Sequence, residues 1–145
     1  MKTKLAITMI ALIGMMICVG VSGCSKSSKE YYDRGVARLE KGEYDAAISD
    51  LTKAIKMRPG FAMAHFYRGR AYFRKGEHDK ALSDLTQAIE LDPALAVAYG
   101  ERAVIHFIRK EYDKVWENIH KQESQGLEAD PGFLKTLREA SGRKK

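Results

Sequence analysis

The sequence predicts an all-α fold in which helical hairpins repeat along the chain, and three observations carry that prediction. The first is a period of 34 residues. Gly35 and Gly69, Ala47 and Ala81, Leu51 and Leu85, Ala54 and Ala88, and Pro59 and Pro93 are each one period apart, and SDLTKAI at 49–55 returns as SDLTQAI at 83–89. A unit of this size cannot bury its own apolar face, so units stack and share a continuous core. The second observation is that one period accommodates two helices of about a dozen residues and a turn. The third is punctuation. Lys41-Gly42-Glu43 and Lys75-Gly76-Glu77 supply the turn, where glycine tolerates a tight reversal. Pro59 and Pro93 close the second helix of each unit, because proline cannot continue one.

The units run at about 28–61, 62–95 and 96–129. In the first two, Gly35 and Gly69 face Ala47 and Ala81, small residues that let antiparallel helices approach closely. Tyr31, Leu51 and Ile55, then Tyr72, Leu85 and Ile89, fill the space around them. In the third unit Ala103 and Tyr112 keep their places. Lys110 stands at the turn glycine, Val115 and Gln122 replace small alanines, and Leu127 stands where proline would end the helix. A terminal unit meets no further neighbour, so such departures are expected, and its second helix is expected to run on toward Gly126. Asp130-Pro131 reads as an N-cap followed by proline at the first helical position. It opens a capping helix at about 131–141, with Phe133, Leu134 and Leu137 on one face. Ile48, Leu82 and Trp116 share one repeat position, which assigns Trp116 to packing rather than to a ligand.

These residues resemble the tetratricopeptide repeat (TPR) family, clearly over 28–95 and with decay to about 129. The resemblance implies a right-handed superhelical array of about three hairpins plus the cap, whose first helices line a concave face that usually holds a ligand. By repeat position the lining is Tyr32, Val36, Phe66, Tyr67, Arg70, Arg74, Gly100, Glu101 and Val104. That is an aromatic and basic groove with an acidic residue at its far end and a dent at Gly100 for a partner side chain. Some members grip a C-terminal carboxylate with a clamp of two Lys, two Asn and one Arg. Tyr32, Val36, Tyr67, Val97 and Glu101 stand at those positions here, so that ligand class is set aside. Arg70 and Arg74, four residues apart, could pair with a partner carboxylate; their plainer role is a solvated helix face.

Residues 1–23 read as an export signal: Met1-Lys2-Thr3-Lys4 is positive and 5–21 is apolar apart from Thr8. The run ends in Val21-Ser22-Gly23-Cys24, which resembles the lipobox of bacterial lipoproteins. That implies cleavage before Cys24 and acylation of Cys24, palmitate being a typical chain. A transmembrane anchor is the alternative, with a run at the bottom of the spanning range. On the lipoprotein reading, 24–30 is a lipidated tether and 31–145 the repeat domain. The expected location is the bacterial cell envelope. Ser25, where Asp would be the common retention signal, implies the outer membrane, facing the periplasm, in a cell with two membranes.

Charge and chemistry narrow the function. Loss of Lys2 and Lys4 with the signal lowers the formal +6 to about +4, with much of the excess at Lys26, Lys29 and Arg143-Lys144-Lys145. No basic stripe runs along one face, so nucleic acid is not expected. Cys18 leaves with the signal and Cys24 carries lipid, so no thiol remains for a disulfide or metal. His65, His78, His106 and His120 have no ligand or base partner at helical spacing. No metal, cofactor or catalytic residue is expected. Asp45, Asp79 and Asp113 recur once per unit, as do Asp50 and Asp84, and a residue that recurs with the fold serves the fold. The expected function is a scaffold that binds a peptide or helix of another envelope protein, for example in pilus or secretion assembly or in recruiting cell-wall enzymes. A structural subunit that self-associates through its end face, and so forms a homo-oligomer, is the alternative.

Overall fold

The computed structural model describes residues 27–143; the export signal and Cys24 lie outside the described residues. Seven helices make up this part: α1 Ser28–Glu40, α2 Tyr44–Met57, α3 Ala62–Arg74, α4 His78–Leu91, α5 Ala96–Ile108, α6 Tyr112–Ser124 and α7 Pro131–Ser141. They pair as antiparallel hairpins α1/α2, α3/α4 and α5/α6, and α7 closes the end. Among the described residues there is no strand and no helix long and apolar enough to cross a membrane.

The helices start and stop where local chemistry dictates. α1 begins at Ser28 because Ser27 and Glu30 form a capping box: the Ser27 side chain accepts from the Glu30 amide, and the Glu30 carboxylate accepts from the Ser27 amide at 2.6 Å. The stretch read as a tether at 24–30 therefore gives its last residues to the helix. At the first two hairpin turns Gly42 and Gly76 take φ of 79° and 78°. Lys110 takes the same left-handed conformation at the third, with φ 59°, which costs an L-residue about 1–2 kcal/mol. α6 stops at Ser124, just short of Gly126, which is itself left-handed at φ 81°. Asp130 caps α7 by accepting the Phe133 amide at 2.7 Å, with Pro131 inside the first turn.

Close helix approach sets the core. A Cβ on Gly35 would lie 2.7 Å from Leu51 Cγ and 3.4 Å from the Ala47 carbonyl oxygen; on Gly69 it would lie 3.1 Å from Leu85 Cγ and 3.3 Å from the Ala81 oxygen. The small residues meet as expected, and the leucine one turn on is what presses hardest against each glycine. Ala47, Leu51, Ala54, Ala81, Leu85 and Ala88 are fully buried. Trp116 is buried in a cluster with Ala103, Val115, Ile119 and Leu137, so it packs, as its repeat position implies.

Two periodic sets of polar contacts, ion pairs in all but one case, cross-link the hairpins. Inside each hairpin an arginine of the first helix reaches the second. Arg34 Nε and Nη2 donate to Asp50 at 2.5 Å each, and Arg68 Nε and Nη2 donate to Asp84 at 2.7 Å. Arg102 Nε donates to Asn118 Oδ1 at 2.7 Å. The same arginines tie neighbouring units, Arg68 to Thr52 Oγ1 and Arg102 to Thr86 Oγ1. The second set runs along the exposed turns: Lys75 to Asp45, Arg109 to Asp79 and Arg143 to Asp113, each at 2.6 Å. Arg143 stands one period after Arg109, so α7 occupies the place of the first helix of a fourth unit.

Candidate peptide groove

The first helices of successive hairpins touch one another, α1 with α3 and α3 with α5, and together present one face. On it lie two adjoining clefts. One, of about 490 Å³, is polar and is walled by Leu39, Glu40, Lys41, Gly42, Tyr44, Tyr67, Arg70 and Arg74. The other, of about 430 Å³, is mainly apolar and is walled by Phe73, Val97, Gly100, Glu101, Val104, Ile119, Gln122, Leu127, Ala129, Asp130 and Phe133.

The residues expected in the groove distribute unevenly. Tyr67, Arg70 and Arg74 line the polar cleft; Gly100, Glu101 and Val104 line the apolar one. Arg70 is not free for a partner. Its Nε meets Glu101 at 3.0 Å, so the two charges join α3 to α5 at the boundary between the clefts. Arg74 is exposed and has no ion pair among the described residues. Tyr32 is half-buried, packed on Phe61 at 4.7 Å and edge-on to Tyr67 at 5.7 Å between ring centroids. Burial first, then the neighbouring Tyr67 and Asp33, push its hydroxyl pKa up to about 12, so it stays protonated. Val36 is half-buried and lines neither cleft.

Two expectations need correction. Phe66 does not face the groove: it is 4% exposed and packs with Ala81, Leu85, Ala88 and Ile89. Its ring supports Tyr67 from within, at 5.1 Å. Gly100 leaves no dent for a partner, because the Gln122 side chain fills it. A Cβ at Gly100 would lie 2.5 Å from Gln122 Oε1, and the same amide donates from Nε2 to the Glu128 carbonyl at 3.2 Å. The second unit holds large Phe66 and small Ala88 at these two positions; the third holds small Gly100 and large Gln122. The volumes are exchanged and the hairpin stays filled.

Several lining residues were not foreseen. Phe73 reaches the apolar cleft from α3, while Leu127, Ala129 and Phe133 enter it because the chain after α6 folds back over α5, a path that no repeat encodes. The legible signals were Leu127, apolar where proline was due, and Val97; they are 40% and 42% exposed. Lys41 and Tyr44 reach the polar cleft from the first turn.

The titratable groups elsewhere serve packing. His65 is buried, with Nδ1 3.4 Å from Asp84 and Nε2 3.2 Å from the Pro59 oxygen. His106 Nδ1 lies 2.6 Å from Glu111, and this contact, ahead of Lys114, holds the Glu111 carboxyl below its usual range. The Arg34 guanidinium does the same for Asp50, with Arg38 adding to it. Among the described residues no three His, Cys, Asp or Glu side chains come together as a metal set.

Hairpins of nearly one length, periodic cross-links and a two-part cleft on the first helices define a helical-repeat domain. The model of the tetratricopeptide repeat family matches residues 32–96, and that stretch is an array of tetratricopeptide repeats. Solved structures with the same fold include MamA, at 28% identity and TM-score 0.67, covering 69% of this chain and 58% of that one. The Sgt2 TPR domain from Aspergillus fumigatus is 25% identical with TM-score 0.70, over 80% of this chain and 78% of that one. The first TPR domain of Spaghetti (RPAP3), bound to an HSP90 peptide, is 23% identical with TM-score 0.72, over 81% and 93%. The chain thus spans less than two thirds of the length of MamA. No curated protein matches the sequence.

Proposed function

We propose that this protein is a non-catalytic, lipid-anchored scaffold of the bacterial envelope. Its groove holds a peptide or helix of another envelope protein, with an apolar side chain in the cleft at Val97, Val104 and Phe133. The single observation that carries the groove reading is the pairing of that apolar cleft with a polar one beside it. Val97 and Leu127 are both exposed at this one cleft, and a few polar groups around an apolar hollow are the usual form of a binding site. RPAP3 holds its HSP90 peptide on the same fold; that likeness concerns the fold, and the clamp positions here suit a different ligand. The anchoring reading rests on Val21-Ser22-Gly23-Cys24 at the end of the apolar run. Self-association through the C-terminal end is the weaker reading, since α7 exposes Lys135, Thr136, Arg138 and Glu139 there.

A photocrosslinking residue at Val97 should capture a specific envelope protein in living cells, and one at Lys135 should not. Val104→Asp should cut that capture at least tenfold, about 1.4 kcal/mol, with helicity unchanged. Equal capture from both positions, or capture indifferent to Val104→Asp, would remove the groove as the binding site. For the anchor, Cys24→Ala should leave an unprocessed or mislocalised chain. Normal processing and membrane fractionation of that variant would refute lipidation.

A further inference from the structure

The hairpin nearest Cys24 carries a corner that the other hairpins lack. α2 ends beside the start of α1, where the Ser28 hydroxyl donates to the Ala54 carbonyl at 3.0 Å. Lys53, Lys56, Met57 and Arg58 project from this edge. Met57 is 53% exposed, the most exposed of the large apolar side chains among the described residues. The corner is rigidly built: Arg58 lies 3.4 Å from the centre of the Phe61 ring, which packs on Tyr32, and Lys53 sits over Tyr31 at 5.5 Å.

The nearby acids are already engaged. Asp33 pairs with Lys29 at 2.6 Å, and Glu30 closes the capping box. Lys53, Lys56 and Arg58 have no ion pair among the described residues. Their excess is not a property of the repeat. One period later the same three positions hold Gln87, Glu90 and Asp92, so the sign reverses from basic to acidic. Lys56 could be explained by the negative end of its helix, yet Glu90 occupies the same place on α4. Recurring residues serve the fold; the third unit holds Lys121, Ser124 and Gly126 at these positions, so three basic residues stand together there only in the unit next to Cys24.

Chain length gives the corner its partner. From Cys24 to the cap residue Ser27 is three residues, which span at most about 10 Å. On the lipid-anchor reading, on which this inference rests, the first hairpin is held within roughly one Debye length of the bilayer. At that range each Lys or Arg adds to adhesion on an anionic leaflet. We propose that Lys53, Lys56 and Arg58 bind anionic lipid headgroups, with Met57 dipping into the interface. The array would then stand on its first hairpin, with the acidic edge of α4 lifted from the surface and the groove open to the side.

The test uses the lipidated protein in phosphatidylcholine vesicles with and without phosphatidylglycerol. Met57→Cys and Leu91→Cys, one period apart, each receive a fluorescent dye, and a lipid-borne quencher reads their proximity to the bilayer. With phosphatidylglycerol, quenching at position 57 should exceed that at 91 by roughly threefold or more. The difference should collapse in phosphatidylcholine alone, at high salt, or when Lys53→Glu, Lys56→Glu and Arg58→Glu are combined. Equal quenching at both positions, or a difference indifferent to phosphatidylglycerol and to the charge reversals, overturns the proposal. A position 57 shielded from aqueous quencher in cells but not reached from the lipid would assign the corner to an acidic protein and overturn it as well. The unsubstituted chain reports separately on the anchor. If its Cys24 takes up dye, lipidation fails, and the corner loses the tether that holds it at the bilayer, which overturns the proposal by a route the charge reversals do not share.

Discussion

Two sets of aspartates recur with the repeat, yet their removal should have very different consequences. Asp50 is 1% exposed and accepts from Arg34 twice, at 2.5 Å, and from Arg38 once, at 2.7 Å. Asp45, on the same helix, pairs with Lys75 at 2.6 Å but its side chain is 86% exposed. Breaking a fully buried ion pair costs about 3–5 kcal/mol. Arg34 and Arg38 are each one-third exposed and can turn toward water, so Asp50→Ala should cost about 2–3 kcal/mol. At about 4 °C per kcal/mol for a domain of this size, its melting midpoint should fall by roughly 8–12 °C. Asp45→Ala removes a surface pair worth well under about 1 kcal/mol and should shift the midpoint by no more than about 2 °C. The pH dependence gives an independent check. The folded state holds the Asp50 carboxyl below its usual range, so its contribution is present above the unfolded value of about 3.9. It is lost as pH falls through the lower folded value. Circular dichroism melts of wild type and Asp50→Ala should therefore differ at neutral pH and converge as the pH drops below about 4. Equal midpoints at neutral pH, or a difference that persists undiminished in acid, would refute this account of the cross-link.

Further outcomes follow from single positions. Lys110→Gly should raise stability by about 1 kcal/mol in denaturant titration, because the residue already sits at positive φ; a loss would mean that its side chain has a role beyond the turn. Gly100→Ala should cost about 1–2 kcal/mol by displacing the Gln122 amide, and adding Gln122→Ala should recover part of that. Strict additivity in the double-mutant cycle would rule out the contact. Ala81→Leu should cost about 1–3 kcal/mol by forcing methylenes into the α3/α4 contact, and an unchanged midpoint would contradict the packing. Deleting residues 131–145 should uncover the Val115, Trp116 and Ile119 cluster and produce aggregation in light scattering; a monodisperse product would show that α7 is not a needed cap.

Much of this was legible in the chain because a period exposes it. The hairpins, their turns and the glycine–alanine contacts follow from positions that repeat, and so does the structural role of Asp45, Asp79 and Asp113. Their partners Lys75, Arg109 and Arg143 were harder to see, since the residue type changes and the pairing skips between hairpins. Arg34, Arg68 and Arg102 recur without a change of type, and that recurrence alone could have assigned them to the core lattice. Phe66 was expected beside Tyr67, but neighbouring residues of a helix point about 100° apart, and aromatic character does not say which of the two sides is covered. The apolar cleft depended on how residues 125–130 return to α5, and a segment outside the period leaves no second copy to read.

The exchanged volumes at Phe66/Ala88 and Gly100/Gln122 bear on folding fidelity. Adjacent hairpins with nearly identical segments such as 49–55 and 83–89 invite a helix to pair with the wrong copy while the chain is still assembling, a characteristic failure of repeat proteins. A stray pairing of α3 with α6 would drive Phe66 against Gln122, and one of α5 with α4 would leave Gly100 facing Ala88 across an empty space. Both errors are penalised at the same point of contact. α5 thus discriminates its own second helix from the earlier ones by size, whereas α1 and α3, with Tyr32/Ala54 and Phe66/Ala88 alike large against small, are not separated by this contact.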